Sequence, residues 1–260
     1  MARELLVAQI SDLHIDSRPE AIDPLKGDTR ERLGRTVAYL NAMHPRPDVV
    51  LATGDLTDLG TLDEYRIARG ILDRLTMPYF VIPGNHDRRD TLRAAFSGHD
   101  YLPTDGFLHY VLDGYPLRLI GLDTVIPGQE GGELCRDRLK WIEDRLSQRP
   151  EKPALIFMHH PPYRTGMPQL DDVNCRGADD FADVIRRFSG VQAVVCGHLH
   201  RATMAHVGGV RAMSIPSIAP ELSLLFESSE RPRYTPSRPQ VGFHLWGSGM
   251  LASHIASVPD

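Results

Sequence analysis

Five short clusters carry residue types able to do metal chemistry: Asp12-Leu13-His14, Gly54-Asp55, Gly84-Asn85-His86-Asp87, His159-His160 and Gly197-His198-Leu199-His200. Each follows an apolar run: Leu5–Ile10, Val49–Ala52, Tyr79–Ile82, Leu155–Met158 and Val191–Val195. A sheet whose strands end side by side would deliver all five clusters to one edge. Carboxylate, amide and imidazole together suit hard-to-borderline divalent metals. There are donors enough for two ions, and the chemistry such a pair performs is hydrolysis of phosphate esters.

The donors differ in what they can contribute. Asp12 and His14 stand two apart, as do His198 and His200, so each pair can project together where a strand gives way to a turn. Asp55 has two oxygens with which to bridge two ions. Asn85 offers a neutral amide oxygen, and Gly84 before it allows close backbone approach. His159 closes the fourth of these runs.

The elements that must position these groups alternate in type. Strands are expected at the five runs, and helices at Thr29–His44, Asp63–Leu75, Asp90–Phe96, Leu134–Leu146 and Asp179–Phe188 from apolar spacing. Leu108–Leu112 and Leu117–Leu122 around Asp113-Gly114 read as a hairpin, as do Ala202–Val207 with Val210–Ser214 and Val241–Trp246 with Leu251–Ala256. This order predicts an α/β domain with helices outside and mixed sheets packed face to face. One domain, 1–260, is expected. The loops at Ile15–Asp28 and 163–177 and the Pro-rich segment 216–240 are candidate cap or oligomer-contact elements over the strand ends.

Composition bounds the function. The chain has 260 residues, 42% hydrophobic and 24% charged, as in an ordinary globular protein. A net charge of −5 argues against a basic track for a nucleic-acid polymer. Cys135, Cys175 and Cys196 form no CxxC pattern, which points to reduced thiols and a cytoplasmic location. The first residues are too short and too polar for a secretory leader, and no apolar run approaches the roughly 20 residues of a membrane span.

The order D-x-H, G-D, G-N-H-D, H-H, G-H-x-H, complete here from Asp12 to His200, resembles the calcineurin-like metallophosphoesterase superfamily. The resemblance implies a four-layer α/β/β/α sandwich and two divalent ions, with manganese, iron, zinc and cobalt all admissible. Asp12, His14, Asp55 and His200 would hold one ion, and Asp55, Asn85, His159 and His198 the other. It also implies in-line attack of a metal-bridging hydroxide on phosphorus. His86 would then hydrogen-bond a phosphoryl oxygen or protonate the leaving alkoxide, and Asp87 would orient His86 or cap the next helix. His160 is expected to support His159 rather than bind metal. His44, His99, His109, His206, His244 and His254 lack any such pattern.

Within that superfamily the residues exclude several branches. Leu59 stands where protein phosphatases carry Arg, and Asp87 where they carry Glu. Leu56, Thr57 and Asp58 leave no Tyr ligand of the purple acid phosphatase type, and His86 replaces the Arg of the lipid-A pathway enzymes. Ile82–Asp87, Phe157–Pro162 and Gly166–Asp171 are similar to class III cyclic-nucleotide phosphodiesterases and bacterial binuclear glycerophosphodiesterases. The expected activity is hydrolysis of small phosphodiesters, with partners limited to that substrate and a homodimer or higher homo-oligomer. The alternatives are a broad phosphomonoesterase of the same fold and a non-catalytic protein-binding scaffold. The apolar Leu222–Phe226 segment is expected to be a core strand, with a subunit contact as the lesser alternative.

Overall fold

The computed structural model describes residues 4–18, 28–227, 230 and 232–259, so positions 19–27 of the Ile15–Asp28 loop and 228, 229 and 231 of the 216–240 segment lie outside the described residues. The first half runs β1 (Leu5–Ile10), α1 (Thr29–Ala42), β2 (Val49–Thr53), α2 (Leu62–Leu72), β3 (Tyr79–Ile82) and α3 (Arg89–Ala95). Then come β4 (Tyr110–Leu112), β5 (Arg118–Leu122), β6 (Gly132–Glu133), α4 (Arg136–Ser147), β7 (Ala154–Met158), α5 (Pro168–Asp171), β8 (Cys175–Arg176), α6 (Ala178–Ile185) and β9 (Val191–Cys196). The chain continues through β10 (Thr203–Val207), β11 (Val210–Ser214), β12 (Glu221–Leu222), β13 (Tyr234–Thr235), β14 (Gln240–Gly247) and β15 (Met250–Ser257).

Two mixed sheets carry the fold. One has the order β15-β14-β1-β2-β3 and the other β10-β11-β9-β7-β5-β4. Strand alternation decides what each face buries. Leu5, Val7, Val49 and Leu51 face Leu155, Phe157, Ala193 and Val195 in the layer between the sheets. Their neighbours Ala8, Ile10, Val50 and Ala52 pack outward on Leu33, Val37, Leu40, Tyr65 and Ala68 of α1 and α2. Ile156, Met158, Val194 and Cys196 pack outward on Ile142 and Leu146 of α4 and Phe181 and Ile185 of α6. The result is the expected helix–sheet–sheet–helix stack.

The helices begin where their caps allow. Asp28 accepts from the amides of Arg30 and Glu31 to start α1, and Thr61 with Glu64 forms a reciprocal capping box for α2. Buried Glu64 also accepts from Leu59 N, which ties α2 to the loop after β2. The parallel pairs β1–β2, β2–β3, β5–β7 and β7–β9 align their C-terminal ends, and the ends of β1, β2, β3, β7 and β9 are the five motif positions.

One sequence expectation changes. Leu222–Phe226 forms no core strand: only Glu221–Leu222 pairs, with Tyr234–Thr235, and Leu224 and Phe226 are exposed. The expected final hairpin forms, and β14 docks antiparallel along β1 and so joins the sheet that carries Asp12. Among the described residues no helix is long and apolar enough to cross a membrane.

Candidate metal centre

A buried polar bridge sits directly behind the strand ends. Gln9 Nε2 donates to Thr53 Oγ1 at 2.9 Å and to the Cys196 carbonyl at 3.0 Å, so one side chain spans both sheets. Backbone bonds then stitch the motif loops together: Asp12 N to Gly54 O, His14 N to Asp55 O, and Gly197 N to His159 O. The loops nest so tightly that a Cβ on Gly84 would collide with the Asp55 carboxylate, and one on Gly54 with the His159 ring.

The donors occupy costly backbone. Asp12, His14, Asp55, His198 and His200 all have positive φ, between 44° and 70°. L-residues pay roughly 1–2 kcal/mol for such conformations, and they persist only where surrounding structure holds them. Here the strain turns each side chain inward at the strand exit, which is how an i, i+2 pair comes to share one target.

Each imidazole is aimed by its remote nitrogen. His14 Nδ1 donates to Asp58 Oδ1, His159 Nδ1 to Thr53 O, His198 Nε2 to Val173 O and His200 Nδ1 to Pro220 O, at 2.8–3.2 Å. The opposite nitrogens point together. Such partners fix tautomer and direction as they do around bound metals. His159 Nε2 and His198 Nδ1 each lie 3.1 Å from Asn85 Oδ1. Asp55 Oδ2 stands 3.3 Å from His159 Nε2 and 3.6 Å from His14 Nε2, between the two halves of the set. Asp12 Oδ1 is 3.6 Å from His200 Nε2.

Burial governs the protonation of this set in the metal-free chain. Desolvation lowers His14 and His200 to about 4 and His198 to about 3, which leaves neutral rings fit to ligate. Desolvation also acts against a charged His159, but the Asp55 carboxylate outweighs it and raises that ring to about 9. Asp55 is correspondingly held well below the usual carboxylate range: burial opposes ionisation, and His159 overcomes it.

The arrangement fits divalent ions. The neutral nitrogens of His14 and His200 meet with no proton between them, as do His198 Nδ1 and the Asn85 amide oxygen, which is unfavourable unless a cation is interposed. Groups of His159, His160 and His198, of Asp12, His14 and His200, and of Asp12, Asp55 and His159 each have donors within 4.8 Å of one another. His160 is the exception on chemical grounds. Its Nε2 donates to Glu130 O and its Nδ1 accepts from Thr124 Oγ1, so neither nitrogen is free. It packs edge-on against His159 and tilted against His198, at centroid distances of 4.8 and 4.6 Å.

His86 and Asp87 have separate fates. The His86 Nδ1 donates to the Asp58 carbonyl at 2.7 Å, and its Nε2 has no partner among the described residues. The ring lies within reach of His14 and Asp55 but stands at the exposed rim. Burial would lower its pKa, yet Asp55 and the Asp58 carbonyl raise it overall. Asp87, expected to orient His86 or cap α3, does neither. Its buried carboxylate accepts from Gly84 N, Leu56 N, Thr57 N, Thr57 Oγ1 and Tyr65 OH, bracing one motif loop on the other. The residue before α3 is Arg88, which makes no side-chain cap.

Asp58, to which the sequence assigned no role, does two things: its carboxylate aims His14 and its carbonyl aims His86. Its signal was position, a second carboxylate three residues after Asp55. A cavity of about 930 Å³ opens beside these groups, lined by Asp58, Leu59, Asn85, His86, Arg88 and Pro127 among others.

The family model for calcineurin-like phosphoesterases matches residues 5–202. The chain belongs to that family and is a phosphoester hydrolase by class, and the family implies divalent metal ions. The glycerophosphodiester phosphodiesterase GpdQ of Enterobacter lignolyticus is 30% identical over 244 residues, covering 92% of this chain and 86% of that protein. The 3',5'-cyclic adenosine monophosphate phosphodiesterase CpdA of Pseudomonas aeruginosa is 27% identical over 256 residues, covering 98% of this chain and 91% of that one. In fold the chain is similar to a dimetal phosphatase from Danio rerio, with a TM-score of 0.68 at 14% identity, covering 98% of this chain and 99% of the other.

Proposed function

We propose that the chain hydrolyses small phosphodiesters, glycerophosphodiesters or 3',5'-cyclic nucleotides, at a centre of two divalent ions. The observation that carries this reading is the position of Asp55 Oδ2 between His159 and His14, with further donors on either side. Asp12, His14, Asp55 and His200 would hold one ion, and Asp55, Asn85, His159 and His198 the other. The naming of relatives about 30% identical as diesterases supports the diester substrate. When bound, divalent ions supply the Lewis acidity and water activation that phosphoester hydrolysis needs.

The chain's own groups do the rest. His86, held through Nδ1 by the Asp58 carbonyl, keeps Nε2 for the substrate. Protonated there, it hydrogen-bonds a phosphoryl oxygen or delivers a proton to the leaving alkoxide. The Asp55 Oδ1 bond to His86 N, at 2.9 Å, fixes the backbone of that ring to the carboxylate between the two halves. The cavity beside His86 gives room for the second alcohol portion, which a diester carries and a monoester lacks.

Turnover of bis(p-nitrophenyl) phosphate, p-nitrophenyl phosphate, cyclic AMP and glycerophosphoethanolamine, at equal metal content, tests the reading. Higher kcat/KM for diesters than for the monoester is expected. Hydrolysis of the monoester alone would refute it.

A further inference from the structure

The wall of the 930 Å³ cavity carries three consecutive charges beyond the metal donors, Arg88, Arg89 and Asp90, together with Arg93 one helical turn on. Most of that charge is spent internally. Arg89 is paired bidentately with the buried Asp123, at 2.5 and 2.8 Å, and also donates to Val125 O. Arg93 donates to Pro103 O and Gly106 O and pairs with Asp90. Asp87 is saturated by its five donors, and Asp58 is engaged by His14 and Arg18.

Arg88 is different. Its amide is fixed by Tyr65 OH at 2.9 Å, the same hydroxyl that donates to Asp87. Its stem lies over Gly60, where a Cβ would come within 2.7 Å of Arg88 Cγ and 3.1 Å of the His86 carbonyl. Gly60 has φ +71°, so the position suits glycine both for conformation and for room. The stem is thus positioned beside His86, while the guanidinium has no ion pair or side-chain hydrogen bond among the described residues. A located stem with an uncommitted head, next to a group that serves the reaction, describes a substrate contact.

We infer that Arg88 is a specificity-determining residue: its guanidinium meets the alcohol portion of the diester, accepts neutral or anionic oxygen-rich substituents, and disfavours those bearing an ammonium group. The inference rests on the phosphodiesterase reading and names the substrate class within it. The exposed Leu59 on the same wall supplies apolar surface but no charge, and Asp90 is paired with Arg93, so the uncommitted charge on this wall is that of Arg88. Guanidinium is the suitable head because its planar fork donates to hydroxyl, carboxylate or phosphate oxygens without ever losing its charge.

The test compares two glycerophosphodiesters that differ at the far substituent, glycerophosphoglycerol and glycerophosphoethanolamine, as a ratio of kcat/KM within each protein. The parent should favour the glycerol compound. Arg88→Ala should reduce that preference by about fivefold, the range of a single solvent-accessible charge contact, and Arg88→Glu should invert it. Arg88→Lys should keep most of it. The difference should shrink between 50 and 500 mM salt as screening grows. A ratio that stays constant across the four proteins, with diesters still turned over, would overturn the role of Arg88 alone. Absence of diester turnover in the metal-replete parent would instead remove the reading on which it rests.

Discussion

The Nε2 atoms of His14 and His200, 186 residues apart in the chain, face each other at 3.1 Å. Both rings donate their single N–H, on Nδ1, in hydrogen bonds to Asp58 Oδ1 and Pro220 O. Two lone pairs therefore meet in a buried space, a contact that a cation would turn from cost to gain. Chelation should lower the melting temperature, and manganese, zinc or cobalt should restore it. At about 100 times the dissociation constant the stabilisation would be about 2.7 kcal/mol. A melting curve indifferent to metal would show that no ion occupies this contact.

Asp55 is the carboxylate on which both halves of the set depend. Asp55→Ala should lose bound metal, read by plasma emission on the desalted protein, and reduce kcat by about two to four orders of magnitude. Full metal content with undiminished turnover would exclude a bridging role.

His86→Ala should separate metal binding from catalysis. Metal content should match the parent, and kcat on a glycerophosphodiester should fall by about 10²–10⁴. The loss should be smaller with a p-nitrophenolate leaving group, which departs without a proton. Equal losses on both substrates would argue that His86 only positions phosphate.

Asp87→Asn addresses a different kind of residue. Five donors converge on that carboxylate from Leu56, Thr57, Tyr65 and Gly84. Substitution should cost about 3 kcal/mol or more in stability, because buried donors lose a charged acceptor and an amide NH2 is set among them. Chemical denaturation measures this. Unchanged stability together with a large loss in kcat would restore Asp87 to a catalytic role.

Acid should destabilise the fold through His244. The ring lies between Gln9 Oε1 at 3.0 Å and Ser253 Oγ at 2.9 Å, and burial lowers its pKa to about 4. Between pH 6.5 and 4 the unfolded chain takes up a proton that the folded chain refuses. This contribution to stability is therefore complete above about pH 6.5 and declines as pH falls toward 4. His244→Gln should flatten that part of the stability–pH curve. An unaltered slope would show that other groups set it.

Much of this was legible in the residues because strand ends are written locally. Apolar runs, turn glycines and the identity of the next polar residue are all near neighbours in sequence. The donors Asp12, His14, Asp55, Asn85, His159, His198 and His200 each stood at such an exit, and all seven converge. The missed features depend on distance in the chain. Nothing near Gln9 shows that it will reach Cys196 O, and nothing near Asp87 shows that Tyr65 OH will claim it before His86 can. Leu222–Phe226 misled for the opposite reason: its composition suited a core, but the sheets were already complete without it.

The lodging of β14 beside β1 orders events in time. The strand leading to Asp12 is flanked on one side by β2 and on the other by residues 240–247. A ribosome will have synthesised every candidate donor, through His200, before that second flank exists. Chains still being made therefore hold the full complement of donors without the brace that steadies Asp12, and ion capture should mature only after the closing hairpin has been released and has annealed.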